Sequence, residues 1–483
     1  MSLRKIVFNT ATISSVNVFR LLAQFISVPI LSRILSPADY GVVAMASPFM
    51  LFALIIADAG IGMSLVRTPA SETRIWSTCF WLSVVLGFML ALIMSATSPL
   101  VARIFAEPAL APLVTALGVA VILQAISTVP GVALQQNHRF KTIASIEIAS
   151  VIIGIAVAVT IALKGGGAWA LVGQQLVFFA LRLLLTLIFS PFRPRMVFDF
   201  HSVGEHMVFG RDILSVNIIG FFTRSIDNLV IGKVLNSSAV GVYSMAFQFA
   251  RIPIMIVSGP LQYVIYSHLA LVKNDIVVIR KTFLVITRLL AVLVFPVMGM
   301  VAVDHDAVFT LLLSKKWFAA GEFFMIIAPA TALQAVNALG GTTVMVMGRT
   351  DIQLRMTIEF GLIWIAALLI SVYFGLTWAA IAFNIVVILY SVRSLMLFLP
   401  LMECQLSTYL RTITIPVIMT FVCIALFWSI HNVLPASDWL QLALGAVLAA
   451  LGVGLSALVQ RHVITEEIIS WKQVSKGKLM PQV

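Results

Sequence analysis

Charged residues are scarce in this chain of 483 residues. Asp, Glu, Lys and Arg make up 10% of it, whereas hydrophobic residues make up 61%. Soluble domains carry about 25% charged residues, so the composition excludes an ordinary soluble globular protein. Apolar runs of about 20 residues, each long enough to cross a bilayer as a helix, recur along the whole chain. The sequence therefore predicts an all-α polytopic membrane protein.

Cysteine is also rare. The three cysteines, Cys79, Cys404 and Cys423, lie far apart, which excludes a disulfide framework and a CxxC metal site. The sequence contains no phosphate-binding glycine loop and no evident pairing of a nucleophile with a base. It therefore predicts a protein that is not an enzyme and that has no cofactor or metal. The net charge of +12 falls in short connections between apolar segments, so it does not indicate a nucleic-acid partner.

About fourteen membrane spans are predicted, with short connections between them. Their approximate positions are 10–32, 40–62, 77–99, 111–133, 144–164, 168–190, 211–233, 239–262, 282–303, 322–346, 354–374, 376–400, 411–431 and 437–459. The first span lacks a small-residue cleavage site, so we expect a retained helix and not a signal peptide. The predicted divisions are an N-terminal lobe over 1–200, a C-terminal lobe over 201–410, two further helices over 411–460, and a tail over 461–483.

Lysine and arginine are distributed unevenly between the two ends of these spans. Placing the N terminus in the cytoplasm puts about twenty of them on the cytoplasmic side and about six on the other, which follows the positive-inside rule. The pattern predicts that both termini are cytoplasmic.

The chain repeats itself at an offset of 200 residues. SVNVF at 15–19 matches SVNII at 215–219, and LSRILSPADYGVVAMA at 31–46 matches IGKVLNSSAVGVYSMA at 231–246. Gly41 and Gly241 are among the identities. A weaker match pairs Ile146-Glu147 with Ile358-Glu359, and Arg182 and Arg393 fall late in the sixth and twelfth predicted helices. Each repeat would hold six spans, an even number, so the two halves would have the same orientation. A parallel repeat about an axis along the membrane normal occurs in some transporter folds.

Polar residues follow one face of the first and seventh predicted helices. Asn17, Arg20 and Gln24 are spaced by three and four residues, which keeps them on one helix face. Asn217 and Arg224 occupy equivalent positions in the second repeat. Lipid would not tolerate such a face, so both faces should line a common interior, most simply a cleft between the lobes.

Cations outnumber acids in this predicted cleft. Arg20, Arg224 and Arg251 accompany a single acid, Asp227. Arginine binds phosphate oxygens in fork geometry, so a net positive cleft predicts a substrate with an anionic head. The predicted substrate-binding residues are Asn17, Arg20, Gln24, Asn217, Arg224 and Arg251. Two local interpretations stay open: Arg224 could serve only to pair with Asp227, and Arg20 could pair with a neighbouring helix or lie at the cytoplasmic interface.

Four acids are candidates for coupling transport to an ion gradient, because each could change its protonation inside the membrane. They are Asp58, Glu147, Asp227 and Glu359. Simpler interpretations exist for three of them. Asp58 begins a predicted helix-end turn at 58–62. Glu147 and Glu359 are predicted to lie in the first turn of their helices, where a negative side chain interacts favourably with the helix dipole.

Other charges in or near the spans have interpretations that involve no substrate. Arg182 and Arg288 are predicted to extend towards the lipid headgroups. Asp304, His305 and Asp306 fall in the largest predicted outer connection. They could suggest a metal site, but a solvated loop is the favoured prediction.

Several segments, in this order, resemble one family. They are LSRILSPADYG at 31–41, DAGIG at 58–62, GAWALVGQQL at 167–176, SPFRPRMVF at 190–198, DNLVIGKVL at 227–235 and GVYSMAFQFARIP at 241–253. The chain resembles the polysaccharide transporters, the Wzx-type O-antigen and exopolysaccharide flippases of the multidrug/oligosaccharidyl-lipid/polysaccharide exporter superfamily. The resemblance covers nearly all of residues 1–410, and Asp227 matches an acid that this family tends to carry.

This resemblance implies a V-shaped pair of six-helix lobes around a cationic cavity. It implies translocation of undecaprenyl-pyrophosphate-linked oligosaccharide across the bacterial inner membrane, for lipopolysaccharide or exopolysaccharide biosynthesis. The implied partners are that lipid-linked sugar, membrane lipids, and a polysaccharide polymerase and glycosyltransferases.

Three other functions compete with the flippase interpretation. The first is a cation-coupled multidrug exporter of the same superfamily, which twelve spans and an acidic cavity would favour. The second is a membrane polymerase or ligase acting on lipid-linked sugars, which would be expected to carry a sizeable outer loop with catalytic residues. The third is a scaffold that transports nothing, which would not need charged faces in both halves.

Overall fold

The structure is a computed structural model that describes residues 19, 23, 26–58, 60–66, 68, 72–199, 204–270, 275–433, 437–463 and 465–466. Over these residues the chain forms helices and no strands. Helices are the expected result for long apolar segments in lipid, because a helix satisfies its backbone hydrogen bonds within one segment. The prediction of an all-α polytopic membrane protein is confirmed. The chain divides into two compact units, Met1–Gly241 and Val242–Val483.

The first unit contains eight helices in its described part and the start of a ninth. They are α1 (26–34), α2 (Pro37–Asp58), α3 (Ile61–Leu65), α4 (Thr73–Phe105), α5 (Leu110–Gln136), α6 (Phe140–Leu163), α7 (Trp169–Phe189), α8 (Gly204–Val234) and the first residues of α9 (Ser237–Ala250).

The second unit continues from within α9. Its further helices are α10 (Gly259–Ala270), α11 (Ile276–Val303), α12 (His305–Leu312), α13 (Phe318–Val346), α14 (Thr350–Ser371), α15 (Leu376–Phe398), α16 (Leu406–Val433) and α17 (Asp438–Val459). A π-helical turn, Ile254–Ser258, joins α9 to α10.

Eleven helices of the described chain are long and apolar enough to cross a membrane. Each coincides with one of the fourteen predicted spans, and the exact count of fourteen stays a prediction. The other three predicted spans fall at 10–32, which lies mostly outside the described residues, at α8, and at α9–α10. Helix α8 carries several charges, and the π-helical turn between two prolines, Pro253 and Pro260, interrupts the eighth predicted span.

Small residues allow α4 and α5 to pack closely in the first unit. A β-carbon added to Gly87 would lie 2.5 Å from the Ala125 β-carbon, and one added to Gly118 would lie 3.4 Å from Ala91. Helices in lipid gain little from burying apolar surface against each other, so close van der Waals packing at small residues stabilises their association.

The glycines matched by the sequence repeat meet within the first unit. A β-carbon added to Gly41 of α2 would lie 1.6 Å from the carbonyl oxygen of Ser237, and one added to Gly241 would lie 1.8 Å from that of Pro37. The two contacts are reciprocal, since Ser237 and Gly241 follow Pro37 and Gly41 by 200 residues. Backbone approach at this distance explains why both copies carry glycine.

Candidate functional site

A cavity of about 390 Å³ lies inside the first unit, between the α2–α3 corner and helices α5, α6 and α7. Its wall mixes apolar side chains with an unusual number of polar ones for a membrane helix bundle. The polar lining residues are Asp58, Gln124, Ser127, Thr128, Gln135, Glu147, Arg182 and Thr186. Two of the four predicted ion-coupling acids, Asp58 and Glu147, are therefore brought to one cavity.

Glu147 and Arg182 form an ion pair across α6 and α7. The Arg182 Nε lies 2.9 Å from the Glu147 Oε1, and the Glu147 side chain is only 9% exposed. The Arg182 Nη1 also donates a hydrogen bond of 3.1 Å to the Gln124 Oε1 of α5. Arg182 thus joins three helices at the cavity wall. Ionised groups this deep in a bundle are favourable only when paired and hydrogen-bonded in this way.

One face of α5 supplies polar residues that the sequence analysis did not single out. Gln124, Ser127, Thr128 and Gln135 recur at intervals of three, one and seven residues, so they lie on the same side of the helix. The Ser127 and Thr128 hydroxyls donate to the Gln124 carbonyl oxygen at 2.9 and 3.0 Å. The same spacing argument used for the first and seventh predicted helices could have found this face.

Asp58 ends α2 at the rim of the cavity. Gly60 follows with a left-handed φ of 68°, and the backbone N–H groups of Gly60 and Gly62 hydrogen-bond the Asp58 carboxylate. The predicted helix-end turn at 58–62 is present in the structure. Asp58 therefore stabilises this corner of the fold and contributes to the cavity wall at the same time.

The described wall of the cavity contains more acids than cations. Two carboxylic acids, Asp58 and Glu147, line it together with one guanidinium, that of Arg182. Among the described residues no group of three or more His, Cys, Asp or Glu could hold a metal ion.

Most of the predicted substrate-binding residues have no described side chain. Asn17, Arg20 and Gln24 lie outside the described residues, and so does the Arg224 side chain, although its backbone belongs to α8. Asn217 is exposed on α8. The predicted cationic cleft therefore stays a prediction.

Asp227 and Arg251 are described and lie in different surroundings. Asp227 of α8 is 6% exposed. Arg251 follows α9 in the second unit, is exposed, and places its guanidinium carbon 5.6 Å from the ring centroid of Phe247. This distance permits a cation–π contact between the guanidinium and the ring.

Glu359, the fourth predicted coupling acid, lies at the surface of the second unit. Its carboxylate is 2.6 Å from the Arg355 Nε and 3.8 Å from the Arg393 Nε. The interpretation of Glu147 and Glu359 as helix-opening acids is wrong, because α6 begins at Phe140 and α14 at Thr350, about two turns earlier. The helix dipole acts mainly within the first turn.

Two other predictions about buried charges are also wrong. Arg288 does not extend to the lipid headgroups, because it is 8% exposed and donates to the Gln460 Oε1 at 3.0 Å. Arg182 does not extend to the headgroups either, because Glu147 and Gln124 bind its guanidinium at the cavity wall. Asp304 is not part of a solvated loop, since it is only 4% exposed.

A family of polysaccharide biosynthesis proteins matches residues 30–322. The teichuronic acid biosynthesis protein TuaB of Bacillus subtilis (strain 168) is 26% identical over 377 residues, covering 77% of each chain. The succinoglycan biosynthesis transport protein ExoT of Rhizobium meliloti (strain 1021) is 29% identical and covers 61% of this chain and 60% of its own.

Solved structures show the same fold at low sequence identity. The lipid II flippase MurJ, in an inward closed conformation, superposes with a TM-score of 0.72 at 13% identity, over 95% of this chain and all of that one. An inward-facing multidrug resistance transporter of the MATE family has a TM-score of 0.58 at 14% identity, over 80% of this chain and 94% of that one.

The two curated relatives are named for biosynthesis or transport, and the two superposed structures are those of transporters. The helices, the motifs and the family match lead to one conclusion. The chain belongs to the polysaccharide biosynthesis protein family.

Proposed function

We propose that this protein moves a polyprenyl-pyrophosphate-linked oligosaccharide from the cytoplasmic to the outer leaflet of a bacterial inner membrane. The observation that carries the proposal is the family match over residues 30–322, together with a flippase fold along 95% of the chain. Both termini would be cytoplasmic. The product would enter lipopolysaccharide or exopolysaccharide biosynthesis, with glycosyltransferases acting before the flippase and a polymerase after it.

In this mechanism the arginines hold the pyrophosphate while the polyprenyl chain stays in lipid. Arg20, Arg224 and Arg251 would replace headgroup water around the phosphate oxygens, assisted by Asn17, Gln24 and Asn217. Arginine suits this role because its planar fork donates two parallel hydrogen bonds to an oxyanion. Alternating access of the two lobes would then expose the bound headgroup to one side and then to the other.

Flipping by purified protein tests the role of the arginines. Proteoliposomes would contain a polyprenyl-pyrophosphate sugar with a fluorescent label, and a membrane-impermeant quencher would report its leaflet. We expect Arg20→Ala, Arg224→Ala and Arg251→Ala each to reduce the flipping rate at least tenfold, because one charge-assisted contact contributes about 1.5–3 kcal/mol. Arg355→Ala, at an exposed position beside Glu359, is the matched control. Normal flipping by all three variants at normal expression would contradict the pyrophosphate role.

The cavity of the first unit supports a separate proposal for energy coupling. Asp58 and Glu147 would bind a proton or a monovalent cation, and Arg182 would hold Glu147 in place. Glu147→Gln is then expected to abolish the response of flipping to an imposed pH or sodium gradient. Glu359→Gln, at the equivalent position of the second unit, would leave that response intact. An unchanged response in Glu147→Gln and Asp58→Asn would exclude the cavity as the coupling site.

The acids of this cavity also favour a second candidate function, the export of organic cations. The fold of a multidrug transporter supports it over 80% of the chain. The same proteoliposomes distinguish the two functions, because an exporter would accumulate a lipophilic cation under an ion gradient without moving the lipid-linked sugar.

A further inference from the structure

Asp304 lies between α11 and α12 in the second unit, directly after the membrane span that ends at Val303. It occupies the N-cap position of α12, where aspartate commonly bonds a backbone N–H, yet its side chain makes no such bond. Asp304 is 4% exposed, and within the described chain its Oδ2 has no hydrogen-bond partner. A buried carboxylate oxygen without a partner is costly, so this acid requires an explanation.

A cavity of about 550 Å³ adjoins Asp304. Its wall is formed by α11, Val308 of α12 and one face of α17. Among the described residues that line it, Asp304 is the single charged one. Apolar residues such as Val297, Met300 and Ala449 supply the remainder. Water in such a cavity would find few polar partners, so the ionised carboxylate has little solvation there.

Helix α17 passes directly over the carboxyl group. A β-carbon added to Gly445 would lie 2.9 Å from the Asp304 Oδ2 and 3.6 Å from its Cγ. The helix can approach this closely only because residue 445 has no side chain. A change in the charge of Asp304 would therefore change the packing of α17 against the end of α11.

The surrounding charges favour the neutral acid. Burial raises the pKa of Asp304 to about 7, and the negative charges of Asp306 on α12 and Asp438 on α17 contribute. The adjacent His305 contacts other groups: its Nε2 lies 3.1 Å from the Asp306 Oδ1, and its Nδ1 lies 3.0 Å from the Ala302 carbonyl oxygen. Helix α16 carries His431 near its end, where the imidazole stacks on Phe427.

The sign of the resulting pH dependence follows from linkage. An unfolded aspartate has a pKa of about 3.9, so the folded protein binds this proton more tightly than the unfolded chain. The stabilisation from the neutral acid is complete at low pH and is lost as the pH rises through about 7.

We propose that Asp304 is a proton-binding site that controls the packing of α17 against α11 and α12. A proton from the aqueous phase adds to a carboxylate oxygen, and the neutral acid lets α17 pack over it. Loss of the proton leaves a charge that must recruit water, so α17 separates from α11 and the cavity hydrates. This role is independent of the proposed transport function, because it concerns the packing of α17 whatever the substrate.

Cys423 offers a native reporter for this packing. It is 1% exposed on α16 and packs with Met300 of α11 and Leu448 of α17. A β-carbon added to Gly452 of α17 would lie 3.0 Å from its Sγ, so any separation of α17 uncovers the thiol.

The experiment measures labelling of Cys423 by N-ethylmaleimide in lipid nanodiscs, using the full chain with Cys79→Ala and Cys404→Ala. Thiol reactivity itself rises with pH, so each rate is divided by the rate of the same protein carrying Asp304→Asn. An acid with a pKa of about 7 passes from roughly one-tenth to nine-tenths ionised between pH 6 and pH 8. We therefore expect the ratio to rise up to about tenfold over that range, and a constant ratio would overturn the proposal.

Two further variants keep the test decisive if Asp304→Asn folds poorly. Asp438→Asn removes a neighbouring negative charge, so the midpoint of labelling should move to lower pH; an unchanged midpoint contradicts the proposal.

Gly445→Ala should raise the labelling of Cys423 at pH 6 by displacing α17. Gly454→Ala on the same helix is its matched control, because a β-carbon there meets no atom within 4 Å. Equal labelling of the two glycine variants would exclude this mechanism.

Discussion

Two ion pairs occupy equivalent places in the predicted repeat but differ in environment. They are Glu147 with Arg182 in the first unit and Glu359 with Arg393 in the second. The first pair is separated by 2.9 Å, and its glutamate side chain is 9% exposed. The second is separated by 3.8 Å, and its side chains are 28% and 45% exposed. Arg355 approaches Glu359 more closely, at 2.6 Å. Both places of the predicted repeat thus hold a glutamate beside an arginine, whereas helix packing decides which of the two lines a cavity.

The largest effect is expected where removing one partner leaves a buried charge. Arg182→Ala should lower the free energy of unfolding by about 3–5 kcal/mol, because Glu147 would remain in the cavity wall without its cation. Unfolding of the purified protein in mixed micelles, followed by circular dichroism, would measure the change. Arg182→Ala combined with Glu147→Gln should recover part of the loss. An equal loss in the single and double variants would show that Arg182 acts by packing alone.

Gly41 and Gly241 form a contrasting case, because both copies of the predicted repeat make the same close backbone contact there. Gly41→Ala and Gly241→Ala should each lower the free energy of unfolding by about 1–3 kcal/mol, and by similar amounts, since each added methyl group meets a carbonyl oxygen of the other helix. The same unfolding measurement applies. Gly131→Ala on α5 is the control, because a β-carbon there meets no atom within 4 Å. A clear difference between the two variants would argue against a reciprocal contact.

The smallest effect is expected at the exposed pair. Arg393→Ala should change the free energy of unfolding by no more than about 1 kcal/mol, because Arg355 remains 2.6 Å from the Glu359 carboxylate and keeps it paired. A loss of stability as large as that of Arg182→Ala would contradict the inference that the two ion pairs differ in their contribution to stability.

Some features of the site were predictable and others depended on long-range packing. The sequence identified Asp58 and Glu147 as acids at membrane depth and located the turn after Asp58. It did not connect Glu147 to Arg182, which lies 35 residues further along the chain, nor either of them to Gln124. Spacing along one helix reveals a shared face, but it does not reveal which helix covers that face.

The amino-acid sequence by itself determined the class of protein, the positions of most helices and the repeat. Bilayer thickness and the need to satisfy every backbone hydrogen bond within lipid leave few alternatives for long apolar segments. Only the tertiary structure decided that Glu147 lines a cavity while Glu359 lies at the surface, and that Arg288 and Asp304 are buried. The reason is physical: the burial of a charge depends on which distant helices surround it, and local composition does not carry that information.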